Sequence, residues 1–266
     1  MAFGGSGDRR TRARRLLPLF DAQLRFACAL ATARDETLAF ALTHYTNFHR
    51  RFGYGVAGHG APAAGWLAYL DAALRARDHA QLLVLSAEHF VRGTLEQPLP
   101  GHAVFGCFSY TRPEADGSVR IHFLDRDRRD GCGPLAASKQ ARRRAELARL
   151  VAALTQAHPE AKAIRGRSWL YHRAAYRRLF PPEYLATRTV VDAGLSFHGS
   201  GCWGQFQRHG GVDAAACAAF VARLPELDAE KPWRVFPLIP LAVTAPLDAF
   251  RRHYGRGGRE LPGDGP

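Results

Sequence analysis

Lysine is scarce in this chain, although the chain is strongly basic. Its three lysines are Lys139, Lys162 and Lys231, whereas the formal net charge is +13, so arginine carries nearly all of the positive charge. An arginine bias combined with abundant alanine is typical of GC-rich genomes. The charge would suit a nucleic acid or another anionic partner, but charge alone does not establish one.

Cysteine is sparse and irregularly placed. An odd number of cysteines without a framework spacing argues against a disulfide scaffold and favours a reducing compartment. No two of them form a C-x-x-C pair, which argues against a structural zinc site. We therefore expect a cytoplasmic protein without a metal. The five positions are Cys28, Cys107, Cys132, Cys202 and Cys217.

Long apolar runs are missing as well. Asp21 and Arg25 interrupt the apolar stretch near the N-terminus, so we expect neither a membrane span nor a signal peptide there, and no membrane partner. The chain also lacks the Gly-Lys-Ser/Thr of a Walker loop and the third glycine of a dinucleotide fingerprint. These absences exclude two common nucleotide-binding signatures.

What remains is a globular composition, with a hydrophobic fraction of 47% that is sufficient for a core. Helical spacing of apolar residues predicts helices over 16–32, 36–48 and 64–77. Short apolar runs predict strands over 81–85, 102–110 and 119–124. The Asp116-Gly117 pair favours a hairpin between the last two strands.

In the second half of the chain, predicted helices and strands alternate. The apolar pattern there predicts a long helix over 134–157, a strand over 161–170 and a short helix over 174–180. Strands are expected over 187–191 and 195–206, then a helix capped by Asp213. Prolines within 233–243 favour an edge or irregular strand there, and a last short helix covers 248–254. We expect residues 1–15 to be a disordered basic segment, 16–208 one α/β domain, and 209–266 a C-terminal extension packed on it.

One turn stands between a predicted strand and the long helix, and it reads Arg128-Arg129-Asp130-Gly131-Cys132-Gly133. Glycines let backbone N–H groups point toward one spot, and a helix N-terminus adds partial positive charge, which together can hold a phosphate. Many tight turns of this kind bind nothing. A thiol at Cys132 is either reactive, because a helix N-terminus lowers its pKa, or simply small enough to fit.

The succession of elements resembles the GNAT acyltransferase superfamily, over about residues 81–206. Arg128, Gly131 and Gly133 match its Arg/Gln-x-x-Gly-x-Gly/Ala turn, which holds the pyrophosphate of acetyl-CoA. Ala175-Tyr176 resembles the segment whose tyrosine protonates the departing thiolate. His172 stands where the family has asparagine, and Leu179-Phe180 where it has Gly-Phe. The resemblance implies an α/β (α+β) fold with a mixed central sheet flanked by helices.

The resemblance further implies transfer of an acyl group from acetyl-CoA, or another acyl-CoA, to an amine of unknown identity. Cofactor contacts would come from Arg128, Arg129, Gly131, Cys132 and Gly133. Tyr176 would be the general acid and His122 the base, and backbone N–H groups of the strand before the turn would polarise the thioester carbonyl. Further candidates for the base are Glu88, His89 and His198.

Two other interpretations of the sequence remain open. The segments Ile164 to Tyr171, Ala175 to Pro181 and Trp203 to Phe206 resemble an uncharacterised group of proteobacterial proteins, which implies no particular activity. A non-catalytic protein that binds nucleic acid or a protein partner is the alternative function. The arginines of 9–15 and 142–144 would then contact phosphates, and binding would weaken steeply with salt.

Overall fold

The structure is a computed structural model that describes residues 6–55, 61–93, 103–127, 131–191, 197–208 and 211–255. Within these ranges the chain forms eleven α-helices and eight strands. The helices are α1 Ser6–Arg34, α2 Leu38–Tyr45, α3 Phe48–Arg51, α4 Ala64–Leu74, α5 His79–Arg92, α6 Gln140–Ala157, α7 Ala174–Arg177, α8 Pro182–Ala186, α9 Ser200–Trp203, α10 Ala214–Ala222 and α11 Leu247–Gly255. The strands are β1 Ala103–Phe105, β2 Phe108–Tyr110, β3 Ser118–Phe123, β4 Ala163–Ser168, β5 Thr189–Val190, β6 Gln207–Arg208, β7 Gly211–Val212 and β8 Leu241–Pro246.

The chain divides into two compact units, each built from two separate segments. We call Met1–Gln97 with Asp192–Ile239 the helical unit, and Pro98–Val191 with Pro240–Pro266 the sheet unit. This division differs from the expected domain over 16–208 with an extension over 209–266. The reason is that β8 pairs with β4 over six residues, so the C-terminal segment completes the sheet instead of packing on it.

Helix α1 forms the centre of the helical unit. Many of its side chains are buried, including Phe20, Leu24, Phe26 and Leu30, which have no exposed surface, whereas Arg25 is exposed. By length and composition its Asp8–Arg34 stretch could cross a membrane, so the expected lack of such a run needs correction. However, 56% of the most apolar window is buried inside the protein, which is the pattern of a core helix.

The expected disorder of residues 1–15 also needs correction, since α1 begins at Ser6. Arg9 donates a hydrogen bond to the Phe90 carbonyl, and the guanidinium groups of Arg9 and Arg12 lie over the Phe90 ring at 5.1 and 5.9 Å. These contacts tie the basic end of the helix to α5. Residues 1–5 lie outside the described ranges.

The sheet unit contains a six-stranded mixed sheet in the order β1-β2-β3-β4-β8-β5. The β3–β4 pair is parallel, and every other neighbouring pair is antiparallel. Helix α6 lies in the connection between the two parallel strands. One face of the sheet, carrying Val119, Ile121 and Ile164, packs into a core with Leu147 and Leu150 of α6. A mixed α/β fold is therefore confirmed.

Several predicted elements are confirmed. The hairpin at Asp116-Gly117 joins β2 and β3, which pair in antiparallel register. The long helix is α6, although it begins at Gln140 after a 3₁₀ turn rather than at Pro134. Asp213 caps α10 by accepting a hydrogen bond from the Ala216 amide.

Three predicted strands are wrong. The run over 81–85 lies within α5, where Asp78 caps the helix. One face of this helix is buried and carries Leu82, Ser86, His89 and Phe90. A short apolar run alone does not distinguish a strand from a helix. The described part of 195–206 contains α9 and a 3₁₀ turn. The predicted edge strand over 233–243 begins only at Leu241, and as β8 it lies between β4 and β5.

Candidate functional site at the turn between β3 and α6

The predicted phosphate-binding turn lies between β3 and α6 in the sheet unit. Arg128 and Arg129, its two predicted charged contacts, fall outside the described residues. Gly131 has a φ of +69°, which favours glycine. A Cβ built on Gly131 or on Gly133 would meet no atom within 4 Å, and Cys132 is exposed. The backbone here is open to close approach by a ligand.

The two parallel strands stop pairing with each other before either strand ends. Their ladder pairs Ser118 with Ala163, then Val119 with Ile164, and ends at Arg120 and Arg165. Both strands continue for three more residues, over which β3 pairs with β2 and β4 pairs with β8. Residues 121–123 and 166–168 are therefore not paired with each other, and we call this stretch the opening between β3 and β4.

Lys139, the residue before α6, binds backbone carbonyl groups at the glycine turn. Its ammonium nitrogen Nζ donates to the carbonyl oxygens of Asp127, at 3.0 Å, and Cys132, at 3.3 Å. Asp127 precedes the glycine turn and Cys132 lies within it, and the Lys139 side chain is buried. The lysine thus ties the backbone of the turn to the start of the helix.

A buried ionic network continues from Lys139 along α6. The Arg143 guanidinium Nη2 lies 2.8 Å from Asp127 Oδ2 and 2.7 Å from Glu146 Oε1. Glu146 also accepts the backbone amide of Cys107 at 3.0 Å, and Arg143 donates to the Cys107 sulfur. Arg143 and Glu146 are each only 1% exposed. Since buried charges must be paired, this network fixes α6 to the strands.

The carboxyl of Asp127 is the acceptor shared by these cations. Burial on its own would raise the pKa of Asp127, but the hydrogen bond from Lys139 and the charges of Arg142, Lys139 and Arg143 outweigh it, so the pKa lies below its usual value. Asp127 therefore stays ionised at neutral pH and holds the cations in place.

A small cleft of about 50 Å³ opens beside the turn, between the start of α6 and α7. Arg143, whose Nε is a buried donor without a hydrogen-bond partner among the described residues, contributes to the wall of this cleft. The lining residues are Leu135, Ala136, Ala137, Gln140, Arg143, Ala175, Arg178 and Leu179.

Tyr176 lies on α7 and is 2% exposed. Its ring contacts Phe123 at the end of β3, with a centroid distance of 5.5 Å. Burial raises the pKa of Tyr176 well above its usual value, so the phenol is protonated at neutral pH. A protonated phenol has the chemistry of a general acid, although here the rings of Tyr171 and Phe180 also enclose it.

His122 lies on β3 with its side chain on the face opposite to Phe123, because neighbouring residues of a strand point to opposite faces. It is partly buried and stands level with Ser109 of β2. His122 and Tyr176 thus approach the end of β3 from its two faces. The other candidates for the base, Glu88, His89 and His198, belong to the helical unit, whereas the turn belongs to the sheet unit.

The basic face expected over 142–144 needs correction. Arg143 is buried in the network described above, and Arg142 lies 3.4 Å from the Asp127 carboxylate. Arg144 is 3.2 Å from His253 Nε2. Arg142 and Arg144 are nevertheless exposed, so the correction removes only Arg143 from the expected basic face.

Sequence reasoning missed Lys139, Asp127 and Glu146, which form their buried network only in the folded chain. The one available signal was that Lys139 is a rare lysine in an arginine-rich chain. In the described ranges, no group of three or more His, Cys, Asp or Glu side chains is placed to hold a metal ion. No protein-family model, curated protein or solved structure matches this chain.

Proposed function

We propose that the sheet unit binds an acyl-CoA thioester and transfers its acyl group to an amine, as in the GNAT superfamily that the sequence resembles. The observation that carries the proposal is that the β3–β4 ladder ends three residues before the carboxyl end of each strand, and that β3 leads along the chain into the glycine turn and α6. Sheet edges bind extended ligands through backbone hydrogen bonds. The amide groups of pantetheine would suit such an edge.

The turn supports the other end of the same ligand. Open space around Gly131 and Gly133 allows a pyrophosphate to approach the backbone, and Lys139 holds the turn in place before any ligand arrives. Arg178, which lines the adjacent cleft, offers a further donor to an anion. Arg128, Arg129 and Cys132 remain predicted contacts.

The chemical roles follow from the two faces of β3. An amine approaching from the face of His122 would lose its proton to that histidine as it attacks the thioester carbonyl. Backbone N–H groups at the opening would stabilise the developing oxyanion. Tyr176, on the other face, would protonate the departing thiolate. Holding both reactants in this geometry would supply much of the rate enhancement.

The proposal is tested by thermal unfolding of the full chain with CoA, acetyl-CoA or ATP. A ligand present at about 100 times its Kd stabilises a protein by about 2.7 kcal/mol, which shifts the Tm by several degrees at this size. We expect a shift with both CoA compounds and none with ATP. The absence of a shift with CoA and acetyl-CoA would overturn the proposal.

The substitution Gly133→Val is the sharpest variant, because a Cβ there meets no neighbouring atom and the fold should tolerate it. It should abolish the shift with CoA by blocking approach to the backbone. Gly211→Val is the matched control, since Gly211 also has open space around its Cβ but lies in the helical unit. Normal CoA binding by G133V would contradict the assignment of the turn.

A further inference from the structure

The outer sides of α4 and α5 in the helical unit carry apolar residues. On α4, Leu67 and Leu74 are 52% and 58% exposed, and on α5 Val84 is 58% exposed. Leu67 and Leu74 are seven residues apart, which places them on the same side of the helix. Ala64 and Ala68, also exposed, lie on that side as well. We call these five residues the apolar face, since a group of exposed apolar side chains, unlike a single one, is typical of an interaction site.

Both helices already have a complete buried side. That of α4 carries Trp66, Tyr69 and Ala73, and that of α5 includes Ser86. The two buried sides meet, because the Tyr69 hydroxyl and the Ser86 hydroxyl share a hydrogen bond at 2.9 Å. The apolar face lies on the opposite sides of the same two helices, and none of its residues belongs to the core of the unit. Formation of the core therefore does not explain why these positions are apolar.

The same part of the chain has no net charge. Residues 61–93, which contain both helices, have three acidic and three basic side chains, whereas the whole chain has a formal net charge of +13. The six are Asp71, Asp78, Glu88, Arg75, Arg77 and Arg92. Four of them form the ion pairs Arg75–Asp71, at 2.6 Å, and Arg92–Glu88, at 3.0 Å. The excess positive charge therefore lies outside this segment, so a nucleic acid or another polyanion would not be attracted to it.

The neutrality of the apolar face indicates the partner that fits it. Two copies of a chain with this net charge repel each other, so they can approach most closely through a surface that lacks the excess charge. In a two-fold dimer a patch contacts the same patch of the other copy, and it must therefore be complementary to itself. We propose that the apolar face joins two copies of this chain, with α4 of one copy against α4 of the other. Asp71 lies between Leu67 and Leu74 on α4, so the Arg75–Asp71 ion pairs of the two copies would meet.

The dimensions of the face predict a weak dimer. Helices of 11 and 14 residues are about 16 and 21 Å long, and packed helices lie about 8–10 Å apart, so the face covers about 400 Å² in projection. A stable interface of standard size buries about 800 Å² on each partner. We therefore expect a monomer–dimer equilibrium with a Kd on the order of 10 μM.

Sedimentation velocity of the full chain tests this inference at concentrations of about 1–200 μM, which span the expected Kd. Salt at about 0.15 M limits charge effects to about 8 Å, so that charges near the interface dominate. The average mass should rise with concentration from one chain toward two. Asp71→Arg and Arg75→Asp should each stay monomeric, because like charges would then meet across the interface. An equimolar mixture of these two variants should recover the dimer, because opposite charges would meet.

Asp248→Arg is the matched control, because Asp248 is similarly exposed and ion-paired with Arg251 but lies in the sheet unit. It should dimerise like the wild type, whereas Leu74→Glu should abolish the dimer. Val104→Glu removes an exposed apolar side chain from β1, at the edge of the sheet, and should also leave the dimer intact. Every variant replaces an exposed side chain, and its Tm confirms that the protein is folded.

Several outcomes would overturn the inference. The wild type could be monomeric at all concentrations, or D71R and R75D could dimerise like the wild type. A mixture of the two that stays monomeric would show that α4 does not face its own copy. Loss of the dimer in V104E would assign the contact to the sheet edge instead. None of these outcomes involves CoA, so the proposed function is tested separately.

Discussion

A methyl group on Gly166 would lie 2.0 Å from the hydroxyl oxygen of Tyr171. No real pair of atoms is that close without a bond, so Gly166→Ala must displace the tyrosine. Overpacking of this kind costs about 1–3 kcal/mol. We expect this loss in the free energy of unfolding measured by urea titration, and we expect Tyr171→Phe to recover part of it in the G166A background. Gly133→Ala, with no neighbour near its Cβ, should change stability by less than about 0.5 kcal/mol.

His49 makes the helical unit sensitive to acid. The side chain is 3% exposed, and burial, with smaller effects from His198, Arg50 and His44, lowers its pKa to about 4. An unfolded histidine titrates near 6.5, so the unfolded state binds more protons between these two values. Stability is then full above about pH 6.5 and falls as the pH drops toward 4.

The size of the effect follows from the separation of the two pKa values of His49. Between pH 7 and pH 5 it amounts to about 2 kcal/mol. His49→Leu should remove this pH dependence, as measured by unfolding at both pH values. His79→Leu is a useful comparison, because the His79 ring is partly exposed and bonded to Asp21 at 2.6 Å. An unchanged pH dependence in H49L would contradict the assignment.

Two ion pairs of nearly equal length should differ sharply in their effect on stability. The Arg143–Glu146 contact, at 2.7 Å, is buried, whereas the Arg75–Asp71 contact, at 2.6 Å, joins side chains that are about two-thirds exposed. Removing one partner of a buried pair typically costs about 3–5 kcal/mol. Glu146→Ala should show that loss in urea unfolding, whereas Asp71→Ala should cost less than about 1 kcal/mol. Similar values for the two variants would show that the buried network contributes little.

Lys139 should control the order of the glycine turn rather than the fold as a whole. Lys139→Met keeps most of the buried stem but loses the bonds to the Asp127 and Cys132 carbonyls. We expect faster amide hydrogen exchange over residues 131–133 and about tenfold weaker CoA binding. Lys162→Met is the control, because that lysine is exposed. Equal exchange rates in wild type and K139M would contradict the role given to this lysine.

Local signals predicted the middle of the sheet unit well. The Asp116-Gly117 hairpin, the glycine turn, α6 and β4 all carry their pattern within a few residues, so the sequence alone was enough. Asp213 as a helix cap is of the same kind. Where the pattern was short and apolar, as in 81–85, the Asp78 cap was the missed signal for a helix.

The remaining features depend on which residues the fold brings together. Arg143 looked like one of three solvated arginines, yet it is buried because Asp127 and Glu146 lie beside it. Pairing of β8 with β4 joins residues about 80 positions apart, and no local pattern encodes that choice of partner. A glycine within a strand allows close approach by another group, but no local pattern shows that the group at Gly166 is Tyr171.

The insertion of β8 between β4 and β5 affects how the protein is made. The ribosome synthesises the chain from its N-terminus. Strands β4 and β5 therefore emerge, followed by residues 192–239, before β8, which pairs with both of them, has been made. Until Leu241–Pro246 follows, β4 presents an exposed edge of backbone donors and acceptors, which invites pairing with other chains. A translational pause or a premature stop before Leu241 would therefore leave a nascent chain prone to aggregation, whatever the state of its helical half.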